Sequence, residues 1–556
     1  MTIQYAPAAL PAELDRWYRS FGFQTDVTIP ALMQRNATEL GALPAVFDGE
    51  VQLTWGELMD RASRFGGFLH AHGIGRGDVV TWQLPNWWEC LVAAYGAWAA
   101  GAVSNPIVPI YRNHEMRQVI AAVQPAAIVT AATFRGCDHA EMITGACAEV
   151  GWEPTVKVVI RGTATGWVPF DDALRGRPFY ATDADADDPS LLGFTSGTTS
   201  GAKGVVHSAR GFLSSPLRQV RMAAHGWHDR SYMAATLAHA TGVLSAIASP
   251  LYSGSSTVIR DRWDPELAVR DITDFGVTTS AGASVFIQGL LEVLESRGID
   301  RLPLSSGYPC GGSTIPSALA RRAEDAGIAP RRAYGMTECP GVTGSSPFDA
   351  VDIRCDTDGL VAPGCEVRVV DLGTGAPTQT GASGELLVRG PQRALGYLSA
   401  AHTAEGFDAE GWFRTGDLGI LDARNALTVT GRVKEIINRG GEKISSREIE
   451  EVLVRNPAIA DVAVVAAPHD RLGEQPAAFV SLRRGASTTA EELTGFLAAS
   501  GLAAQKIPRV WRWVDELPRT ASGKVKKFVL QAELGGPGMT APPRAAEPVD
   551  IATEVV

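Results

Sequence analysis

Short apolar runs alternate with amphipathic segments through most of this chain. Examples are GDVVTWQLP, AAIVTAAT, VKVVIRG and SSTVIRD, each separated from the next by a helical stretch. This alternation is typical of α/β proteins whose strands are largely parallel. The pattern therefore predicts a large N-terminal domain built from layered α/β sheets.

The pattern changes twice toward the C-terminus. After residue 360 the runs CEVRVVD, GELLVRG and ALTVTGR predict short strands in a small β-rich subdomain. Charge density then rises in TGRVKEIINRGGEKISSREIEEVL, where Ser446 precedes Glu448 and Glu450 at a helix start. Beyond it, ADVAVVAAPHD, AAFVSL, AEELTGFLAAS and RVWRWVDEL predict strands and helices in alternation.

These changes divide the chain into four parts. We predict an N-terminal domain over residues 1–430, a hinge over 431–434 and a small α+β C-terminal domain over 435–534. The last part, residues 535–556, is rich in Gly, Pro and Ala and is predicted to be disordered.

Composition and charge exclude several classes of protein. The net charge of −11 without a basic stripe argues against a nucleic-acid partner. The uncharged stretch from Cys90 to Ile110 is interrupted by Gly and Pro, so it predicts a buried helix, a turn and a strand without membrane insertion. Seven cysteines without a C-x-x-C pair suit a reducing compartment, and no signal peptide begins the sequence. We expect a cytoplasmic protein, and a homodimer is an option that the sequence leaves open.

One loop has the composition of an anion-binding site. The stretch LLGFTSGTTSGAKGVVHS places hydroxyls, glycines and Lys203 between two apolar runs. Exposed backbone N–H groups and one ammonium suit phosphate, although such clusters are also found in plain loops. Lys203 is followed by Gly204 and valines, which fits neither a Walker loop nor a Rossmann fingerprint. A phosphate here would be held by a strand–loop–strand clamp.

Four further stretches occur in a recognisable order with this loop: AYGMTECPG, GWFRTGDLG, GRVKEIINRGGEKISSREIE and LPRTASGK. Together they resemble the adenylate-forming superfamily of acyl-CoA ligases, luciferases and peptide-synthetase adenylation domains. The resemblance runs from Leu53 to Leu530 and implies an enzyme that uses ATP, Mg²⁺ and CoA. Within the superfamily, TWQLPNWWE and SNPIVPIYR look most like the cyclohexanecarboxylate–CoA ligase-like branch.

The resemblance implies roles for the nucleotide-binding residues. The clamp on the β- and γ-phosphates would be Thr195, Ser196, Gly197, Thr198, Thr199 and Lys203, with Ser200 and Ala202 departing from the usual glycine and proline. The adenine and ribose would be held by Gly311, Gly312, Ser313, Tyr334, Gly335, Met336, Asp417 and Arg432. In AYGMTE, Thr337 resembles a phosphate ligand and Glu338 the carboxylate that holds Mg²⁺.

The resemblance also assigns residues to the mobile C-terminal domain. Lys524 would bridge the substrate carboxylate and the α-phosphate and so stabilise the adenylation transition state. Lys434 occupies the family's hinge position, and Gly440 and Gly441 would line the CoA channel. With Lys203, Glu338 and Thr337, Lys524 completes the predicted catalytic set.

The implied acyl pocket has small, apolar walls at Leu237–Val243, Ala281–Phe286 and Tyr308–Thr314. Its predicted residues are His239, Gly242, Ala283, Gly311 and Gly335, and Gly335 is expected to leave the pocket deep. These walls favour an alicyclic, terpenoid-like or medium-chain monocarboxylic acid over an amino acid or acetate.

Three alternatives to an acyl-CoA ligase stay open at the level of the sequence. The adenylate could be transferred to the phosphopantetheine of a carrier protein, or the chain could be a luciferase-like oxygenase. It could also be an inactive ligand-binding relative, which the presence of Lys203, Glu338, Asp417 and Lys524 disfavours.

Overall fold

The computed structural model describes residues 3–195, 203–312, 315–439, 442–520 and 524–535. The chain forms two compact units. The large unit comprises the residues up to Lys434 together with Arg519–Lys524. The small unit comprises Glu435–Pro518 together with the described residues from Val525 onward.

A nine-stranded sheet is the main layer of the large unit. Its spatial order is Ala6–Pro7, Gly396–Tyr397, Lys203–Ser208, Pro189–Thr195, Val103–Pro106, Val79–Gln83, Ala127–Ala131, Val156–Ile160 and Val168–Pro169. The strands from Val103–Pro106 to Val156–Ile160 are parallel to their neighbours. The apolar runs that predicted a layered α/β fold with parallel strands are thereby confirmed as sheet strands.

A second, five-stranded sheet has the order Thr279–Ala281, Arg230–Met233, Ser256–Ile259, Pro44–Asp48 and Val51–Thr54. Helices Trp55–Ala71 and Trp88–Ala99 share one hydrophobic core with strands of both sheets. Glycine permits their close approach, because a Cβ at Gly66 would lie 2.7 Å from the Cβ of Ala99. The helix Trp88–Ala99 is almost entirely buried, as expected for a helix that is apolar on every face.

The other helices of the large unit are Ala12–Ser20, Ile29–Glu39, Asn113–Val123, His139–Val150, Phe170–Ala173, Ala209–Ala223, Ala240–Gly242, Ser249–Ser253, Pro265–Asp274, Ser284–Arg297, Ser317–Asp325, Val351–Asp356 and Ala400–Gly406. A π-helical stretch, Val243–Ala248, follows Ala240–Gly242. Among the described residues, no helix combines the length and the apolar character that crossing a membrane requires.

The β-rich part after residue 360 is an antiparallel sheet of Glu366–Val370, Ser383–Arg389, Phe413–Leu421 and Leu427–Arg432. This confirms the three predicted strands and adds Phe413–Leu421 to them. Three strand pairs complete the large unit: Tyr308–Cys310 with Pro330–Arg332, Thr343–Gly344 with Leu360–Val361, and Thr133–Phe134 with Cys137–Asp138.

The small unit contains a five-stranded sheet. Its path is Glu442–Ser445, Ile436–Arg439, Gly473–Leu482 and Ile459–His469, and Val510–Trp513 also pairs with Gly473–Leu482. Its helices are Ser446–Leu453, Ala490–Ala499 and Lys527–Gly535. Residues after Gly535 lie outside the described residues, so the predicted disorder of the tail stays a prediction, although Gly535 itself ends a helix.

Two details of the small unit differ from the sequence prediction. Strands Ile459–His469 and Gly473–Leu482 follow each other directly and pair as an antiparallel hairpin, so the predicted alternation of strand and helix is wrong there. The helix at SSREIEEVL has Ser445 at its N-cap without a side-chain capping bond. Ser446 is its first residue, and the Ser446 hydroxyl accepts a hydrogen bond from Lys527 Nζ at 2.9 Å.

Candidate active site

The two strands that flank the glycine-rich loop form an antiparallel hairpin, the clamp hairpin, made of Pro189–Thr195 and Lys203–Ser208. Thr195 pairs with Lys203 at its open end, which confirms the strand–loop–strand prediction for the flanking residues. The loop residues Ser196, Gly197, Thr198 and Thr199, with Ser200 and Ala202, lie outside the described residues. Lys203 Nζ forms an ion pair with Glu405 at 3.2 Å.

Glu338 is buried and held by a residue that the sequence prediction missed. The Tyr397 hydroxyl donates a hydrogen bond to Glu338 Oε1 at 2.5 Å. Tyr397 is itself buried on Gly396–Tyr397, the strand next to the clamp hairpin, and Lys203 Nζ lies 5.8 Å from its ring centre. Burial, followed by the charge of Glu338, raises the pKa of the Tyr397 hydroxyl, so it stays a donor.

This environment fits a magnesium ion. Glu338 Oε2 makes no hydrogen bond to any described residue, so one carboxylate oxygen is available to a cation. Mg²⁺ is commonly bound by one or two carboxylates together with substrate phosphates. The described part of the chain contains no group of three His, Cys, Asp or Glu side chains that could hold a metal by themselves.

Three predicted nucleotide-binding residues lie together. Asp417 accepts a hydrogen bond from the Tyr334 hydroxyl at 2.7 Å on one carboxylate oxygen. Its other oxygen accepts from Arg432 Nε, also at 2.7 Å. Each carboxylate oxygen can accept a second hydrogen bond, so Asp417 can still receive hydroxyl donors.

The glycines after Cys310 lie beside the residues before Tyr334. Strands Tyr308–Cys310 and Pro330–Arg332 are parallel, so the chain leaves both at the same edge. A Cβ at Gly311 would lie 2.6 Å from the carbonyl oxygen of Ala333, so the two segments touch through their backbones. Gly312 has φ +78° and an open space where a side chain would be. Ser313 lies outside the described residues.

The AYGMTE loop is fastened to the clamp hairpin. His207 Nε2 is 2.7 Å from the carbonyl oxygen of Thr337, a contact in which the ring N–H donates. Met336 packs in the cluster that contains Val205 and Tyr397. Burial lowers the pKa of His207 to about 4, so the ring is neutral near pH 7.

Gly335, one of the predicted acyl-pocket residues, has different surroundings from those expected. A Cβ at Gly335 would lie 2.4 Å from the backbone nitrogen of Gly341, and one at Gly242 would lie 2.2 Å from the carbonyl oxygen of Thr236. At both glycines, neighbouring backbone occupies the place where a side chain would be. The open space that was expected beside Gly335 is therefore filled by the backbone of Gly341. Ala283 is buried at the N-cap of Ser284–Arg297. Burial and then the charge of Lys524 lower the pKa of His239 to about 4.

Lys524 belongs to the large unit. Its backbone N–H donates to the Thr520 hydroxyl at 3.1 Å, and its carbonyl accepts from the Thr520 N–H at 2.7 Å. Desolvation and then the charge of Arg432 lower the pKa of Lys524, while Asp417 and Glu338 oppose that shift. Lys434 lies in the helical turn Val433–Glu435, and Gly440 and Gly441 lie outside the described residues.

Comparison with known families identifies this arrangement. Residues 33–398 match the AMP-binding enzyme family, and residues 448–524 match the AMP-binding enzyme C-terminal domain. The chain belongs to the AMP-binding enzyme family. It is an adenylate-forming enzyme of the acid–thiol ligase class, and CoA ligases of this superfamily use ATP, Mg²⁺ and CoA.

Individual relatives of this AMP-binding enzyme include two CoA ligases. It is 32% identical over 529 residues to the medium-chain fatty-acid–CoA ligase of Escherichia coli K12, covering 93% of this chain and 92% of that one. It is also 32% identical over 521 residues to the 3-[(3aS,4S,7aS)-7a-methyl-1,5-dioxo-octahydro-1H-inden-4-yl]propanoyl:CoA ligase of Rhodococcus jostii RHA1, covering 91% and 98%. The crystal structure of ATP-bound MatB from Rhodopseudomonas palustris superposes with a TM-score of 0.82 at 26% identity, covering 92% and 99%.

Proposed function

We propose that this enzyme is an ATP-dependent acyl-CoA ligase for an alicyclic, terpenoid-like or medium-chain monocarboxylic acid. The observation that carries the proposal is the cluster of Asp417, Tyr334 and Arg432 in the same unit as Glu338 and the clamp hairpin. Relatives named for a medium-chain fatty acid and for a dioxo-octahydroindenyl propanoyl group support this substrate class.

In the first half-reaction, a carboxylate oxygen of the acid attacks the α-phosphorus of ATP, and pyrophosphate leaves. Lys203 and Thr195, with the clamp loop, bind the β- and γ-phosphates. Glu338 would hold Mg²⁺, which would supply positive charge to those phosphates when bound. Tyr334, Asp417 and Arg432 position the adenosine, and Lys524 neutralises the charge that develops between carboxylate and α-phosphate.

In the second half-reaction, the thiol of CoA loses its proton and attacks the acyl carbonyl, and AMP leaves. Both relatives are named as CoA ligases, which favours CoA over a carrier protein as the acceptor of the acyl group. We further propose that residues 431–434 form a hinge about which residues 435–534 move between the two half-reactions, and that Gly440 and Gly441 line the route of the thiol.

Replacing Lys524 tests the division of labour in this mechanism. Lys524→Ala should slow acyl-adenylate formation by about 10²–10³-fold, the effect of losing one preorganised transition-state donor. CoA thioester formation from supplied acyl-adenylate should continue at nearly the rate of the unmodified enzyme. Pyrophosphate release and thioester yield would be measured separately.

Lys526 offers a matched control, because it is a lysine only two residues away. Lys526→Ala should leave both half-reactions near the rates of the unmodified enzyme. An equal loss of both half-reactions in Lys524→Ala would refute the role proposed for Lys524.

A further inference from the structure

A small cavity in the large unit has polar and cationic walls. Its volume is about 50 Å³, and its lining includes Ser215, Arg218, Gln219, Pro309, Arg331 and Gly341. A cavity of this size can hold a terminal chemical group or a few water molecules. The first three residues lie on helix Ala209–Ala223, and none of the six has a role in the mechanism above.

Polar atoms converge where Gly341 lacks a side chain. A Cβ at Gly341 would lie 2.9 Å from Ser215 Oγ, 3.9 Å from Arg218 Nη2 and 4.0 Å from Gln219 Nε2. Gly341 has φ +67°, a conformation that favours glycine, so the backbone itself keeps this point open. An oxygen atom bound here would face one hydroxyl and two N–H donors.

Two buried guanidinium groups face this cavity without an acidic partner. Arg218 donates to Gln392 Oε1 at 3.2 Å and to the Gly341 carbonyl at 3.0 Å. Arg331 donates to the carbonyls of Ser345 and Ser306, both at 2.8 Å. Both arginines are 4% exposed, and neither forms an ion pair with a carboxylate of the described residues.

The hydroxyl of Ser215 lacks a hydrogen-bond partner among the described residues. Ser215 is 1% exposed, and its Oγ forms no hydrogen bond with any described residue. Buried hydroxyls and guanidinium groups are normally satisfied by an acceptor. An oxygen acceptor in this cavity would satisfy the Ser215 hydroxyl and would lie beside the positive charges of Arg218 and Arg331.

The cavity adjoins the proposed acyl pocket. Pro309 lies within the predicted wall Tyr308–Thr314 and also lines the cavity. Gly341 is the residue whose backbone nitrogen lies 2.4 Å from the Cβ position of Gly335. Pro309 and Gly341 therefore place the cavity beside the predicted acyl wall.

We propose that the cavity binds an oxygen acceptor at the far end of the acid substrate, either a ketone or a second carboxylate. This inference rests on the proposed ligase function and refines its substrate class. The body of the acid stays apolar, as the other walls require, and its distal oxygen is bound by Ser215, Arg218 and Arg331. A ketone would keep the substrate a monocarboxylic acid, whereas a carboxylate would make it a dicarboxylic acid.

Matched acids test the proposal. The kcat/KM for pyrophosphate release would be compared for octanoic acid, its analogue with a ketone at the penultimate carbon, and octanedioic acid. A cyclohexylpropanoic acid and its ring-ketone analogue form a second, alicyclic pair. We expect at least one oxygen-bearing acid to exceed its apolar partner by about tenfold, the loss that follows one unmade hydrogen bond to a charged donor. The identity of that acid distinguishes ketone from carboxylate.

Variants of helix Ala209–Ala223 show whether the preference arises in the cavity. Arg218→Met should bring the ratio for the oxygen-bearing and apolar acids to about one, whereas the exposed Arg221→Met should keep the ratio of the unmodified enzyme. Ser215→Val breaks no hydrogen bond to any described residue and should lower the ratio by filling the cavity. This variant tests the proposal even if Arg218→Met does not fold.

The outcomes separate this inference from the proposed function. Turnover of the apolar acids with no preference for oxygen, or a preference unchanged in Ser215→Val and Arg218→Met, would overturn the inference alone. Absence of pyrophosphate release with every acid of a broad panel would overturn the proposed function and the inference with it.

Discussion

The hydrogen bond from Tyr397 to Glu338 fixes the orientation of the proposed magnesium ligand. Because Glu338 Oε1 accepts the tyrosine hydroxyl, its other oxygen is the one available to a cation. Loss of a residue that hydrogen-bonds to a metal ligand typically lowers metal affinity or activity by about 10–100-fold. We therefore propose that Tyr397 is a positioning residue for this magnesium ligand.

Removing the Tyr397 hydroxyl should weaken the response to magnesium. In Tyr397→Phe we expect the Mg²⁺ concentration for half-maximal pyrophosphate release to rise by about tenfold, the lower end of the usual effect of losing such a partner. The rate at saturating Mg²⁺ should fall much less. A purely structural role would instead lower the saturating rate and leave the Mg²⁺ dependence unchanged.

At the scale of residues, motif order predicted which side chains belong together, but not how they are held. Tyr334, Asp417 and Arg432 were assigned through three separate motifs, and they do form one hydrogen-bonded group. Tyr397 is 59 residues from Glu338, and no spacing rule connects two residues so far apart. The backbone that fills the space beside Gly335 also depends on tertiary packing, because it belongs to Gly341.

At the scale of elements, strand Lys203–Ser208 supports the AYGMTE loop through the bond from His207 to Thr337. Nδ1 of His207 is buried and makes no hydrogen bond to any described residue. Protonation would add a proton to Nδ1, which would give the ring a second N–H and place a charge in a buried position. The connection between strand and loop is therefore compatible with the neutral ring only.

This contact predicts how stability depends on pH. The pKa of His207 is lowered from 6.5 to about 4, so the unfolded chain binds the proton first as the pH falls. The stability that the neutral ring contributes is fully present above pH 6.5 and decreases toward pH 4. Through this group, the free energy of unfolding should be lower by about 2 kcal/mol at pH 5 than at pH 7. Denaturant unfolding of the unmodified enzyme and of His207→Gln at both pH values would measure it. His207→Gln should show a pH-dependent loss that is smaller by this amount, and equal losses in both proteins would contradict the assignment.

The hydrophobic pattern predicted helices and strands correctly where a continuous apolar run extended over several residues. The buried parallel strands are short apolar runs, and the helix Trp88–Ala99 is apolar on every face. The hairpin of Ile459–His469 and Gly473–Leu482 was missed because only three residues separate its strands. The tight turn became evident only from the pairing of the two strands in the structure.

At the scale of the whole molecule, the chain first passes from the large unit to the small unit between Lys434 and Glu435. The sequence placed a hinge over residues 431–434 through family resemblance, and rotation there remains a proposal. Lys434 is in a single helical turn, where a change of backbone angle disturbs few hydrogen bonds. A residue that restricts φ at this position is the direct way to test the motion.

Proline at position 434 should separate the half-reactions. Lys434→Pro should release pyrophosphate at close to the normal single-turnover rate, because proline fixes φ without touching the nucleotide-binding residues. It should make little CoA thioester, since the second half-reaction requires the rotation. Lys434→Ala, which removes the same side chain and leaves φ free, should carry out both. Normal thioester formation by Lys434→Pro would show that no rotation at this residue is needed.

Product stoichiometry shows whether one enzyme couples adenylation of an acid to formation of its CoA thioester. Pyrophosphate, AMP and acyl-CoA would be quantified after rapid mixing of the enzyme with ATP, Mg²⁺ and an accepted acid, with and without CoA. Without CoA, we expect a single burst of one pyrophosphate per active site. With CoA, we expect continuous turnover with pyrophosphate, AMP and acyl-CoA formed in equal amounts. Continuous pyrophosphate release that yields no acyl-CoA, or release of ADP in place of AMP, would refute the proposed coupling.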